Sequence, residues 1–209
     1  MNKDFYDVSI ELSSNTAVYT GDPNIEIEKV FNISKGDKFN LSKLIFTTHS
    51  GTHIDAPKHF FNNGYGVEEI PIEKLIGKVK VFELLNCNKI EKQHLEKFKI
   101  ESGDRIFFKT SNYDKVTHKT FYDDFVYLTL EAAEYLADKN INTVGIDYFS
   151  IENFDDDEFK VHKILLKNNI VIVEGINLKD VPEGEYKLCA LPIKIKNSDG
   201  APARVVLYK

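Results

Sequence analysis

The eleven residues from His49 to His59, HSGTHIDAPKH, constrain this chain more than any other stretch. They hold three of its six histidines, with Gly51, Asp55 and Pro57 among them. Histidines four apart can bind one metal from a helical face, as in H-E-x-x-H helices. Here a helix is a poor reading, because Gly51 separates His49 from His53 and Pro57 follows closely. The apolar run Leu44-Ile45-Phe46 leads into Thr47-Thr48 and reads as a strand over residues 41–48 that delivers these side chains onto a loop. Glycine lets such a loop turn tightly, so His49, His53 and Asp55 can converge on one point. Two neutral imidazoles and a carboxylate suit zinc, manganese or iron, with room left for water. His59 then lies beside the metal without having to bind it. A lone histidine or aspartate in a loop is ordinarily a turn or capping residue. Four within eleven residues, in a chain with no His-rich tract, argue for the site of a metal hydrolase.

The rest of the composition narrows the class. A chain of 209 residues can bury a substantial core, and a single domain over 1–209 is expected. The net charge of −6, with no long basic block, argues against a nucleic-acid partner. No stretch approaches the roughly 18 apolar residues of a membrane span. The opening Met1-Asn2-Lys3-Asp4-Phe5 lacks the apolar core of a secretory signal. Cys87 and Cys189 are far apart and form no CxxC pair, so neither a disulfide framework nor a cysteine zinc site is indicated. A cytoplasmic location is the expectation.

Strands are expected at residues 5–10, 25–31, 78–85, 104–110, 143–147, 170–173, 187–193 and 203–208. The alternation of Ile25 to Phe31 reads as a half-buried strand. Helices are expected at 91–98 and at 130–139, the second with Thr129 as N-cap and Asn140 as its stop. Phe159, His162, Leu165 and Leu166 share one face of a third helix, which puts His162 on its buried side. From there a short turn and the strand Ile170 to Val173 lead to Glu174, bringing His162 and Glu174 back together. Asp155 to Glu158 lacks the spacing and glycine of an EF-hand and reads as acid at a helix start. Asp147, at the end of a strand, reads either as a site residue or as a turn cap, and Asp199 to Pro202 as a turn. His94 and His118 read as surface residues. Residues 60–66 form an aromatic, glycine-rich loop expected to line a pocket. Strands outnumber helices in mixed order, which predicts an α/β domain with a β-sheet core.

Read in order, these segments resemble the metal-dependent cyclase-like hydrolases, the family that contains bacterial kynurenine formamidase. The stretch His49 to His59 matches the signature HxGTHxDxPxH. Asp7-Val8-Ser9 followed by Tyr19-Thr20-Gly21-Asp22-Pro23 is similar to the family's opening pattern. Gly145-Ile146-Asp147, His162 and the run Val173 to Leu178 resemble its second metal-facing segment, so the likeness runs the full chain. It implies a swivelling β/β/α fold and a homodimer. It also implies one or two divalent ions, zinc first and manganese as the alternative. His49, His53 and Asp55 would be ligands, completed by His162 and Glu174, with Asp55 shared where two ions bind. His59 is then the general acid/base, and no G-x-S-x-G elbow offers a serine nucleophile. The implied substrate is a small-molecule amide, N-formylkynurenine, giving kynurenine and formate. Tyr19, Phe60, Phe61 and Tyr65 are candidates to stack on its aniline ring. The chain has no tryptophan, and Tyr19-Thr20 stands where many formamidases carry Trp-Pro. Other cyclic or acyl amides, such as isatin-like lactams, therefore remain alternatives, as does a metal-binding module without catalysis.

Overall fold

Residues 4–209 are described by a computed structural model, and Met1 to Lys3, where the leader-free reading begins, lie outside the described residues. Most apolar runs form strands, as their alternation predicts. The first four are β1 (Phe5–Asp7), β2 (Glu26–Phe31), β3 (Leu41–Ile45) and β4 (His53–Asp55). The one-turn helix α1 (Ile72–Leu75) precedes β5 (Ile76–Leu84), and β6 (Lys89–Ile90) precedes α2 (Lys92–Leu95). Then come β7 (Arg105–Thr110), β8 (Tyr127–Leu128), α3 (Leu130–Asp138) and β9 (Thr143–Ile146). The chain ends with α4 (Lys160–Lys167), β10 (Val171–Glu174), β11 (Gly184–Pro192) and β12 (Gly200–Tyr208).

The strand order β12-β11-β5-β7-β9-β10-β4 closes on itself, because β4 pairs with β12 as well as with β10, and β1 adds outside β12. The result is a seven-stranded barrel-like ring in a mixed α/β fold, in agreement with the family expectation. β5, β7, β9 and β10 run parallel, and their crossovers carry α2, α3 and α4. Side-chain alternation then sorts the core. Ile54, Val81, Phe107, Val173 and Leu188 fill one face of the sheet. Ile106, Phe108, Ile146 and Ile172 fill the other, against Leu136 of α3 and Leu165 and Leu166 of α4. β7 is buried on both faces, which is why its sequence runs Ile-Phe-Phe without polar interruption. At eight residues α4 is too short to be stable alone. Burial of Val161, Leu165 and Leu166, worth roughly 1.5–3 kcal/mol each, holds it on the sheet.

Several expectations change. Every residue of β2 is exposed; among the described residues it pairs with β3 alone, in a two-stranded ribbon, and the half-buried face expected from its alternation is absent. The strand expected to run through residue 48 ends at Ile45, and His53 and Asp55 sit on β4 rather than on a loop. Gly200, Ala201 and Pro202 are not a turn but the first residues of β12, paired with β4. Helix α2 is a single turn, and His94 is half-buried in it as part of a capping box with Glu91. His118 is exposed. Thr129 caps α3 as expected, and Asn140 stops it with φ +53°. Asp147 is buried and ties β9 to β7, accepting from the Thr110 amide and hydroxyl at 2.7 Å each. Burial outweighs those bonds and raises its carboxyl to about 8. No helix of the described residues is long and apolar enough to cross a membrane.

Candidate active site

The site follows from the two-residue period of β4. Ile54 points into one core, so His53 and Asp55 share the opposite face. β10 runs antiparallel beside it with Glu174 directly across from His53. Helix α4 lays His162 over the same spot. The loop before β4 supplies His49, and the 3-10 turn after it (Pro57–His59) supplies His59.

Partners fix which ring nitrogens face inward. His53 Nδ1 donates to the Gly51 carbonyl at 2.9 Å. Its Nε2 therefore lies 3.1 Å from Glu174 Oε2 and 3.4 Å from Asp55 Oδ1. His162 Nδ1 is 2.5 Å from Glu152 Oε2, which leaves its Nε2 3.2 Å from Glu174 Oε1 and 3.8 Å from Asp55 Oδ2. His49 places Nδ1 2.8 Å from Asp55 Oδ1 and Nε2 3.1 Å from Asp199 Oδ2. Two glycines allow this crowding. A Cβ on Gly175, at φ +67°, would come within 2.3 Å of the Gly51 carbonyl oxygen that holds His53. One on Gly200 would meet the His49 ring at 2.8 Å.

Charge is concentrated here. Burial disfavours the imidazolium of His49, but Asp55 and Asp199 outweigh it and push its pKa up to about 9. Burial is likewise overcome at His53 by Asp55 and Glu174, and at His162 by Glu152 and Glu174, each rising to about 10. Asp55, fully buried, is held well below the carboxylate range, burial being overcome by His49 and His53. His59 goes the other way. Burial, aided by the charges of His49 and His162 and opposed by Asp55, lowers it to about 4.

Asp55 Oδ2 is buried with no hydrogen-bond partner among the described residues, and such an orphan calls for an explanation. A divalent ion supplies one. His53, Asp55 and Glu174 offer ligand atoms close enough to hold a cation, as do His49, Asp55 and His59, with Asp55 in both groups. Mixed imidazole and carboxylate donors, two of the rings oriented by a second partner, fit such an ion.

The cluster opens into a cavity of about 350 Å³ lined by Tyr19 and Phe60, with Phe149 and Phe159 completing its aromatic wall. Phe61 and Tyr65, also expected at the pocket, pack instead against the two cores. Asp22 and Ser150 complete the lining. The sequence reading missed Phe149 and Ser150, although Phe159 was legible three residues before His162. It also missed Glu152 and Asp199, whose partners are distant in sequence or fixed only by the fold. The acids Asp155 to Glu158 do not occupy the first turn of α4. Glu152 replaces them there, accepting from the Val161 amide at 2.7 Å and the His162 amide at 3.2 Å.

The family model for cyclases matches residues 6–153. The chain belongs to the cyclase family. Within it, the kynurenine formamidase of Bacillus thuringiensis subsp. konkukian (strain 97-27) is 34% identical over 204 residues, covering 98% of this chain and 97% of that relative. A solved structure described as "predicted metal-dependent hydrolase from Bacillus stearothermophilus" superposes with a TM-score of 0.86 at 36% identity, covering 98% and 97% of the two chains. Isatin hydrolase A from Labrenzia aggregata shares the cyclase fold at 21% identity, with a TM-score of 0.84 and coverage of 97% and 92%. As a cyclase-family member the chain is a metal-dependent hydrolase, and the module without catalysis falls away.

Proposed function

We propose that this hydrolase cleaves aryl formamides, with N-formylkynurenine as substrate and kynurenine and formate as products. The observation that carries the reading is the buried Asp55 Oδ2, without a hydrogen-bond partner among the described residues, beneath the His49, His53, His162 and Glu174 side chains that line an aromatic cavity. The full-length likeness to kynurenine formamidases supports the substrate. His49, His53, Asp55, His162 and Glu174 would hold one or two divalent ions, zinc before manganese. A bound ion supplies Lewis-acid activation of water near neutral pH. His59, which lines the cavity and whose pKa burial lowers in the metal-free protein, takes a proton from the attacking water. The water oxygen bonds to the formyl carbon, and the C–N bond breaks. His59 returns the proton to the leaving aniline nitrogen. Tyr19 and Phe60 flank the ring.

The test is turnover by protein loaded with zinc or manganese. N-formylkynurenine should be hydrolysed with kcat/KM at least on the order of 10-fold above isatin opening. Isatin opened in preference to the formamide would overturn the substrate.

The reading includes a cytoplasmic homodimer. Both cysteines are free thiols, which suits a reducing compartment. The β2–β3 ribbon exposes Ile27, Phe31, Leu41 and Leu44, an apolar surface suited to a second copy of the chain. A monomer in sedimentation equilibrium contradicts the dimer.

A further inference from the structure

We propose that Asp199 is a positioning residue of this site, its carboxylate setting the ring orientation of both His49 and His59. The inference rests on the hydrolase reading above. Asp199 looks like a turn residue in sequence, but its backbone is locked to the site. Its carbonyl accepts from the Ala56 amide at 2.9 Å, and the next residue, Gly200, pairs with Asp55. The carboxylate is also anchored, since Thr48 Oγ1 donates to it at 3.2 Å.

From that position Asp199 reaches two imidazoles at once. Its Oδ2 lies 3.1 Å from His49 Nε2 and 3.8 Å from His59 Nδ1. The two rings are stacked, centroids 3.9 Å apart and planes at 27°, so a carboxylate that fixes the His49 ring also fixes the surface on which His59 rests. A carboxylate only accepts, so His49 Nε2 carries a proton toward Asp199, and the proton on Nδ1, 2.8 Å from Asp55, is the one a bound ion would displace. For His59, Asp199 is the only acid within 4 Å of a ring nitrogen among the described residues. At 3.8 Å this is a charge contact and not a hydrogen bond, so Asp199 acts on His59 through its charge and through the His49 ring stacked on it. A plain turn aspartate would need neither histidine.

Asp199→Asn and Asp199→Ala in the zinc-loaded protein test this. With N-formylkynurenine, the expected result for Asp199→Ala is a fall in kcat of roughly 10–100-fold and a zinc affinity weakened by about the same factor. KM should stay within about twofold, since no contact with bound substrate is removed. Asparagine keeps an acceptor oxygen and should recover part of kcat. An independent readout is the His49 Nε2–H resonance in ¹⁵N-edited NMR. It should be protected from exchange in the wild type and in Asp199→Asn and lost in Asp199→Ala. Unchanged kcat with the resonance intact in Asp199→Ala would overturn the proposal. So would failure of Asp199→Asn to bind zinc at saturation, because Asp199 would then be a ligand. If the wild type hydrolyses no formamide, the substrate reading fails, while zinc affinity and the NMR signal still decide the role of Asp199.

Discussion

Replacing Asp55 by alanine should abolish metal binding and turnover together, with a loss of activity of at least about 10³-fold. No other residue is so central. Asp55 belongs to both groups able to hold a cation, and its carboxylate is the meeting point of His49, His53 and His162. Glu174 also touches two of the imidazoles, His53 and His162, but belongs to only one of the two groups. The same geometry sets the pH dependence of metal uptake. In the metal-free protein His49, His53 and His162 have pKa values raised to about 9, 10 and 10, so all three carry their protons at pH 7. An incoming ion must displace protons from them, so apparent affinity falls as pH is lowered and rises as pH is raised. Calorimetry in buffers of different ionisation enthalpy measures the release directly. An Asp55→Ala protein that still binds zinc tightly would show that the ion is held elsewhere.

Replacing His59 by alanine should leave metal content intact while turnover drops by about 10²–10⁴-fold, the range for loss of a general acid/base. His59 differs from its neighbours in exposure and in charge. Its side chain is 29% exposed, against 1% for His53 and Asp55. Its pKa is lowered to about 4 while the other three imidazoles rise. A group that is neutral at pH 7 and borders the cavity can accept a proton. The protonated neighbours of the metal-free site cannot. Because His59 also sits close enough to Asp55 and His49 to ligate, the experiment separates two roles. Loss of bound metal would make His59 a ligand, and undiminished turnover would make it a bystander.

What the sequence revealed depended on how local each relationship is. His162 and Glu174 were legible as a pair, because a helical face, a short turn and an apolar strand are all local patterns. The grouping of His49, His53 and Asp55 was legible from spacing alone, but its geometry was not. β4 is three residues long and buried on both faces, with two polar side chains among its three, so nothing in its composition announces a strand. It exists because β10 and β12, more than 115 positions later in the chain, pair on either side of it. Asp199 and Glu152 were invisible for related reasons. One meets His49 150 positions away, and the other caps a helix from outside it. The alternation of β2 identified a strand correctly, but the half-buried face it predicted is absent, since all six residues are exposed.

The most direct test is to strip the protein of metal and titrate it with zinc or manganese, following bound ion and N-formylkynurenine hydrolysis in the same samples. Activity should be absent from the stripped protein and return in proportion to bound metal, saturating at one or two equivalents. Full hydrolysis by the stripped protein, or no ion bound at any concentration, would contradict a metal-dependent site built on Asp55.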